Sequence, residues 1–295
     1  MFKQNNPITR FSLAIVFLAV LGPLAQNGRC DFTLWGNQEI TVNSTTPTGT
    51  LHDTSRAFLV SGANIFNKLL VHDHSTVNMS AGHVNSIYSY EYSTVNISGG
   101  DFITGEYPIN DLYARQNSTV NISGGSMGSF LTYDSSVVNI SGGSVTYLSA
   151  NNSSYVDISD GTLNSLYAND SVTINIFGGS VSESFSACAY STVNISGGAL
   201  NDLYVQDTST VIFYGQNFNL SPGLDLVGER VTGIGIMSGQ WIDGTPWSVD
   251  IKLNGSSATI LVTPEPATLL LLGLGAAMLA RKKINLALTS QSENI

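Results

Sequence analysis

All four histidines of the chain lie between His52 and His83. His52-Asp53 and His72-Asp73 are the same dipeptide, 20 residues apart, and His74 follows the second directly. Imidazole nitrogens and carboxylates that meet from neighbouring turns of chain form a donor set for a divalent metal. His52, Asp53, His72, Asp73 and His74 are therefore candidate metal ligands, with a polar turn as the structural alternative. The Gly-Gly-x-Gly-x-Asp signature of calcium-binding nonapeptides is absent, and no pattern calls for an organic cofactor, so none is expected.

Two other features have chemical possibilities. Gly124-Gly125-Ser126-Met127-Gly128 fits the Gly-x-Ser-x-Gly nucleophile elbow. That elbow needs a strand-to-helix turn and a nearby histidine, whereas the same glycines recur at Gly142-Gly143-Ser144 and no histidine follows residue 83. Tyr88, Tyr113, Tyr167 and Tyr204 recur at one phase of the repeat described next, and a tyrosine ring offers a sugar an apolar face and a polar edge. Aromatic cover for a sheet surface is the structural alternative and the simpler one. Glu106 and Tyr107 stand at the tip of an insertion spanning residues 104–110, and insertions in repeat proteins carry function more often than the repeats do.

These residues are positioned by an internal repeat. STVNISGG occurs at Ser93–Gly100, Ser118–Gly125 and Ser191–Gly198. Taking its central residue as anchor gives Asn78, Asn96, Asn121, Asn139, Asp157, Asn175, Asn194 and Ile212, spaced by 18 residues except for one interval of 25 and one of 19. A weaker copy around Phe58 makes about nine coils. So short a period fits one turn of a parallel β-helix or β-solenoid. In Thr94-Val95-Asn96-Ile97-Ser98, parity sends Val95 and Ile97 inward and Thr94, Asn96 and Ser98 outward. Gly99-Gly100 supplies a tight turn. Further apolar positions follow six residues after the anchor, as at Val84, Phe102 and Met127, and nine after it, as at Ile87, Phe130 and Leu148. This leaves open whether a coil has two sides or three. Asn78, Asn96, Asn121 and Asn139 should form an outward amide ladder. Asp73, Glu91, Asp134, Asp170 and Asp207, each five residues before an anchor, read as turn caps.

Composition narrows the function. The chain is 42% hydrophobic but 11% charged, with a net charge of −10, and no lysine or arginine lies between Arg115 and Arg230. Such an anionic wall is a poor partner for nucleic acid. At the N-terminus, Lys3 and Arg10 precede an apolar run and Gly22-Pro23-Leu24-Ala25, the layout of a signal peptide over residues 1–25. Cys30 and Cys188 are too few and too far apart for a disulfide framework.

At the other end, Pro264-Glu265-Pro266 precedes a charge-free run, Ala267–Ala280, and then Arg281-Lys282-Lys283. The run can enter a bilayer with its basic cluster on the cytoplasmic side. This order of motif, apolar helix and basic residues resembles the PEP-CTERM sorting signal. The resemblance implies an exosortase-type processing enzyme as partner, with Pro264, Glu265, Pro266, Arg281, Lys282 and Lys283 as the sorting signal. Those signals usually end soon after the basic cluster, whereas here residues 284–295 continue as a tail. Residues 239–262 also resemble the short β-module that often precedes such signals.

The expectation is an all-β chain: N-terminal cap 31–57, β-solenoid 58–214, C-terminal β cap 215–262 and sorting segment 264–283 with one short hydrophobic helix. The expected function is a non-catalytic surface or extracellular-matrix protein, structural or adhesive, held transiently at the inner membrane through its C-terminal segment. The alternatives are a polysaccharide-binding module and, behind it, a β-helix polysaccharide lyase or hydrolase.

Overall fold

The computed structural model describes residues 31–102, 111–255 and 257–263. The signal peptide, Cys30, the insertion with Glu106 and Tyr107, and everything from Pro264 onward, including the expected helix, the sorting residues and the tail, lie outside them.

The described residues form a parallel β-solenoid. Strands Thr76–Met79, Thr94–Ile97 and Thr119–Ile122 pair in parallel and in register, with Asn78 opposite Asn96 and Asn96 opposite Asn121. Each coil holds three segments, which answers the question the sequence left open. His83–Val84 is a second segment and Ile87–Ser89 a third. Later coils fuse them, and Val137–Ala150 and Tyr155–Ala168 each carry all three in one strand.

Parity decides what is buried. Val95, Ile97, Val120, Ile122, Val193 and Ile195 are at most 1% exposed, while Asn96, Asn121 and Asn194 face outward and are partly exposed. The inner positions of the other segments add Val84, Met127, Val145 and Leu163, then Ile87, Phe130, Leu148 and Leu166. Like side chains stack at the ~4.8 Å strand spacing into aliphatic columns.

Stacking runs past both expected boundaries. Glu39–Val42 pairs in parallel with Arg56–Leu59, and Thr45–Leu51 with Asn64–Val71. The strands within residues 31–57 thus stack in parallel on the repeat although they lack the motif. At the other end, Pro246–Asn254 pairs in parallel with Ala199–Gln206, and Thr259–Thr263 with Thr210–Tyr214. Among the described residues, 215–245 leave the path. They form an antiparallel excursion of Gln216–Leu220, Leu224–Val227 and Arg230–Gln240, the last of which lies against both closing strands. This covers the edge that an open solenoid would present. Trp241 and Trp247 stack 4.9 Å apart under Phe213, and the Trp241 indole N–H donates to the Gly198 carbonyl at 3.0 Å.

Candidate functional site

The surface is organised as axial columns, and each candidate residue belongs to one. The turn before every first segment puts a residue in the left-handed region: Asp53, Asp73, Glu91, Gln116, Asp134, Asn152, Asp170, Ala189 and Asp207 all have φ between 53° and 60°. Asp and Asn tolerate that conformation better than other non-glycine residues. Their side chains then join neighbouring coils. The backbone N–H of Gly36 donates to Asp53 Oδ2 at 2.9 Å, that of Asp53 to Asp73 Oδ2 at 2.9 Å, and that of Asp73 to Glu91 Oε2 at 2.6 Å. The N–H groups of Gln116 and Asn152 donate likewise to Asp134 and Asp170. The N–H of Asp53, assisted by the surrounding imidazoles, holds the Asp73 carboxyl below the usual range. These side chains do cap turns, but the turn each one caps belongs to the preceding coil.

The histidines occupy the adjacent column. Trp35, His52, His72 and Tyr90 stack nearly parallel, with centroid separations of 3.9, 5.1 and 4.9 Å. His52 Nδ1 lies 3.7 Å from Asp73 Oδ2 and His72 Nδ1 lies 4.0 Å from Glu91 Oε2. His74 sits two residues beyond His72, edge-on to Tyr92. Among the described residues no three His, Cys, Asp or Glu side chains are grouped to hold a metal. The imidazoles act as flat stacking units, and Asp53 and Asp73 are engaged by backbone N–H groups.

Burial lowers the His72 pKa first and the facing His52 lowers it further, while Glu91 and Asp73 pull the other way. A histidine whose folded pKa is depressed stabilises the fold above its unfolded value, near 6.5, and that stability is lost as pH falls. The melting temperature is therefore expected to drop between pH 7.5 and pH 5, with amide exchange rising first in Arg56–Leu59 and Thr76–Met79. His72→Gln should flatten the dependence. A profile unchanged by that substitution would mean that His72 is not the titrating group.

On the first-segment face, the Asn96 amide donates to Asn78, Asn121 to Asn96, and Asn139 to Asn121, at 2.8–2.9 Å. A second run joins Asn194 to Asn175 and Asn175 to Asp157 at 2.8 Å. Every link points the same way, so Asn139 needs a donor from the next coil. Asp157 stands there, and a carboxylate has no N–H to give. Asp157→Asn is expected to join the two runs and to stabilise the protein by about 1 kcal/mol, read as a higher urea midpoint. A lower midpoint would show that the ladder gains nothing from continuity.

The four tyrosines do not form one platform. Tyr88 and Tyr113 are stacked ring on ring at 4.6 Å, and the Tyr113 hydroxyl donates to Asp111 at 2.6 Å. Burial, then that hydrogen bond, raises the Tyr113 pKa above the usual tyrosine range. Tyr167 leans on Tyr147 at 5.0 Å. Tyr204 lies under Lys252, whose ammonium donates to Asp202 at 2.9 Å and to the Tyr204 hydroxyl at 3.1 Å. Because these stacks run from coil to coil, ring faces are spent on neighbours and ring edges are left at the surface.

Ser126 continues into strand Ser126–Thr132 and not into a helix. Register places His83, Asp101 and Ser126 in one column, which assembles the residue types of a hydrolase triad in the wrong order. The Ser126 hydroxyl donates to Asp101 at 2.7 Å, so the carboxylate and not the imidazole is its neighbour, and the base that would take its proton is on the far side.

One column escaped sequence reading. The serine that opens each STVN stretch is buried: Ser55, Ser75, Ser93, Ser118, Ser136, Ser154, Ser191 and Ser209 are at most 1% exposed. Ser209 donates to the carbonyls of Gln206 and Ala187 at 2.6 and 2.9 Å, whereas the hydroxyls of Ser55, Ser136 and Ser191 are buried without such a partner. The serine's recurrence three residues before the anchor was the available signal.

The last described strand ends at Thr263, and no helix among the described residues is long and apolar enough to cross a membrane. No curated protein and no solved structure matches the chain. A family model does match its end, over residues 262–283, beginning within the closing strand of the solenoid. That match is to the PEP-CTERM protein-sorting motif, a signal that implies export of this β-solenoid protein and transient membrane anchoring through exosortase.

Proposed function

We propose that the chain is a non-catalytic structural or adhesive component of the cell surface or extracellular matrix. The observation that carries this reading is the fate of its polar side chains. Carboxylates on the turns accept N–H groups from the neighbouring coil, asparagines bond to asparagines, and aromatic rings pack on rings. Groups that an enzyme would hold ready for substrate are here used to join coil to coil, which suits a stiff exported rod. Exosortase acts near Pro264–Pro266 and frees the solenoid from Ala267–Ala280.

The test is the mass of the protein recovered from the envelope and the medium of its native cells. A form ending near Pro266 in those fractions is expected. A form that still carries Leu269 to Ile295 would make the segment a lasting anchor. Replacing Arg281, Lys282 and Lys283 by glutamate should reduce retention and correct orientation at the membrane. Extracellular polysaccharide is a second reading, favoured by Trp35, which is 56% exposed and ends its stack among the described residues. A glycan array probed with the mature chain and with Trp35→Ala separates the two readings, since only a sugar-binding chain gives signal that the substitution removes.

A further inference from the structure

Among the described residues, the large aliphatic side chains that are exposed, each by about half or more, are Leu226, Val227, Ile234, Ile236 and Ile242. All lie in the terminal excursion, whereas the exposed large apolar residues of the coils are aromatic. Parity in strand Arg230–Gln240 explains the exposure. Val231 and Met237 are 0% exposed, so Ile234 and Ile236, of opposite parity, point away from the core at 61% and 53% exposure. Val227 pairs with Arg230 and so shares the outer face. Exposed aliphatic side chains grouped on one strand face are unusual in a chain whose other exposed large apolar residues are aromatic, and such groups mark contact surfaces.

The chain's exit says what the contact is. The Val262 N–H donates to the Glu229 carbonyl at 2.8 Å, so the backbone leaves the solenoid beside the hairpin that carries Val227. Only Pro264, Glu265 and Pro266 separate Thr263 from the charge-free run Ala267–Ala280. Three residues reach at most about 11 Å. Along Arg230–Gln240, Ile236 lies roughly 20 Å from Arg230. Once the apolar run is in a bilayer, the tether holds this end of the rod at the lipid surface, with the isoleucine face within reach of it.

We propose that the outer face formed by Val227, Ile234 and Ile236 is a lipid-contacting surface that seats the solenoid on the bilayer while the C-terminal segment is anchored. This rests on the reading that Ala267–Ala280 enters the membrane. The same face carries balanced charges, with Lys252 opposite Ile234, Asp250 opposite Ile236, Arg230 opposite Val227 and Asp225 between them. A face of aliphatic side chains among paired charges is suited to a zwitterionic interface, with little dependence on salt. Removal of the tether leaves only a few aliphatic side chains at the surface, so cleavage and release go together.

The test uses the full chain with Cys30→Ser and Cys188→Ser and a single polarity-sensitive dye on Ile236→Cys, reconstituted into phosphatidylcholine–phosphatidylethanolamine vesicles containing nitroxide-labelled lipid. Val227→Cys serves as a second position, and Tyr92→Cys, 62% exposed in a distant coil, as the reference. The expected result is that the chain floats with the vesicles, that the dyes at 236 and 227 shift to the blue and lose most of their emission to the nitroxide, and that the dye at 92 does neither. A chain that floats with the dye at 236 behaving like that at 92 overturns the lipid contact and leaves the anchor standing. A chain that fails to float overturns both. A blue-shifted dye at 236 without vesicles, together with a dimer in sedimentation, overturns the proposal in favour of a second copy as occupant.

Discussion

Replacing Ile122 by aspartate is expected to lower the unfolding free energy by about 3–6 kcal/mol, combining ~1.5–3 kcal/mol of lost apolar burial with ~1–3 kcal/mol for a desolvated, unpaired carboxyl. Ile122 is 1% exposed and stands in register between Ile97 and Ile140. A carboxyl there has aliphatic neighbours above and below along the column and no route to water. The change is felt by three coils at once, because each aliphatic column is shared. The neighbouring substitution gives the scale. Asn121→Asp removes one donor, the amide that bonds Asn96 at 2.8 Å, and should cost about 1 kcal/mol. Urea unfolding of the two variants beside the native chain measures the difference. Equal midpoints for Ile122→Asp and the native chain would show that this position does not face a core.

The second large effect is expected from Gly143→Val. Gly143 has φ +84°, and a Cβ added to it would lie 2.9 Å from the Gly125 carbonyl oxygen and 3.0 Å from the Gly124 carbonyl carbon. A β-branched residue is strained in that region by ~1–3 kcal/mol, and the obstruction is the backbone of the coil below, which cannot rotate aside as a side chain would. A loss of about 3 kcal/mol or more follows, seen as a lower melting temperature. Gly36 is the control, since it has φ +62° with nothing within 4 Å of an added Cβ. Gly36→Asn should melt close to the native chain. Equal losses at the two positions would mean that backbone conformation alone, and not contact between coils, fixes the glycines.

The legible part of the fold was the part that parity and period control. An 18-residue spacing places Val120, Val138 and Val156 in one column, and alternation within Thr119–Ile122 then fixes which side is inward. The third side of the coil was harder to see, because its second segment can be as short as His83–Val84, too brief for alternation to register. The outermost coils lack the STVNISGG string, since stacking asks only that Val42 and Ile260 face inward as their neighbours do. The phase shared by His52 and His72 was visible, but its meaning lay in Trp35 and Tyr90, which complete the same column. A carboxylate's partner in the preceding coil, some 18 residues away for Asp134 and Asp170, leaves no trace in any local motif.

The equivalence of the coils has a genetic consequence. Coils such as those anchored by Asn139, Asp157 and Asn175 follow one another at the same interval and in the same register, so an unequal crossover that gains or loses one unit delivers a chain whose joints already fit. Each event would lengthen or shorten the rod by one ~4.8 Å step, leaving the closing tryptophans and the exit at Thr263 as they were. The length of the solenoid is then a property that copy number adjusts, and a lineage can alter it without inventing a new core.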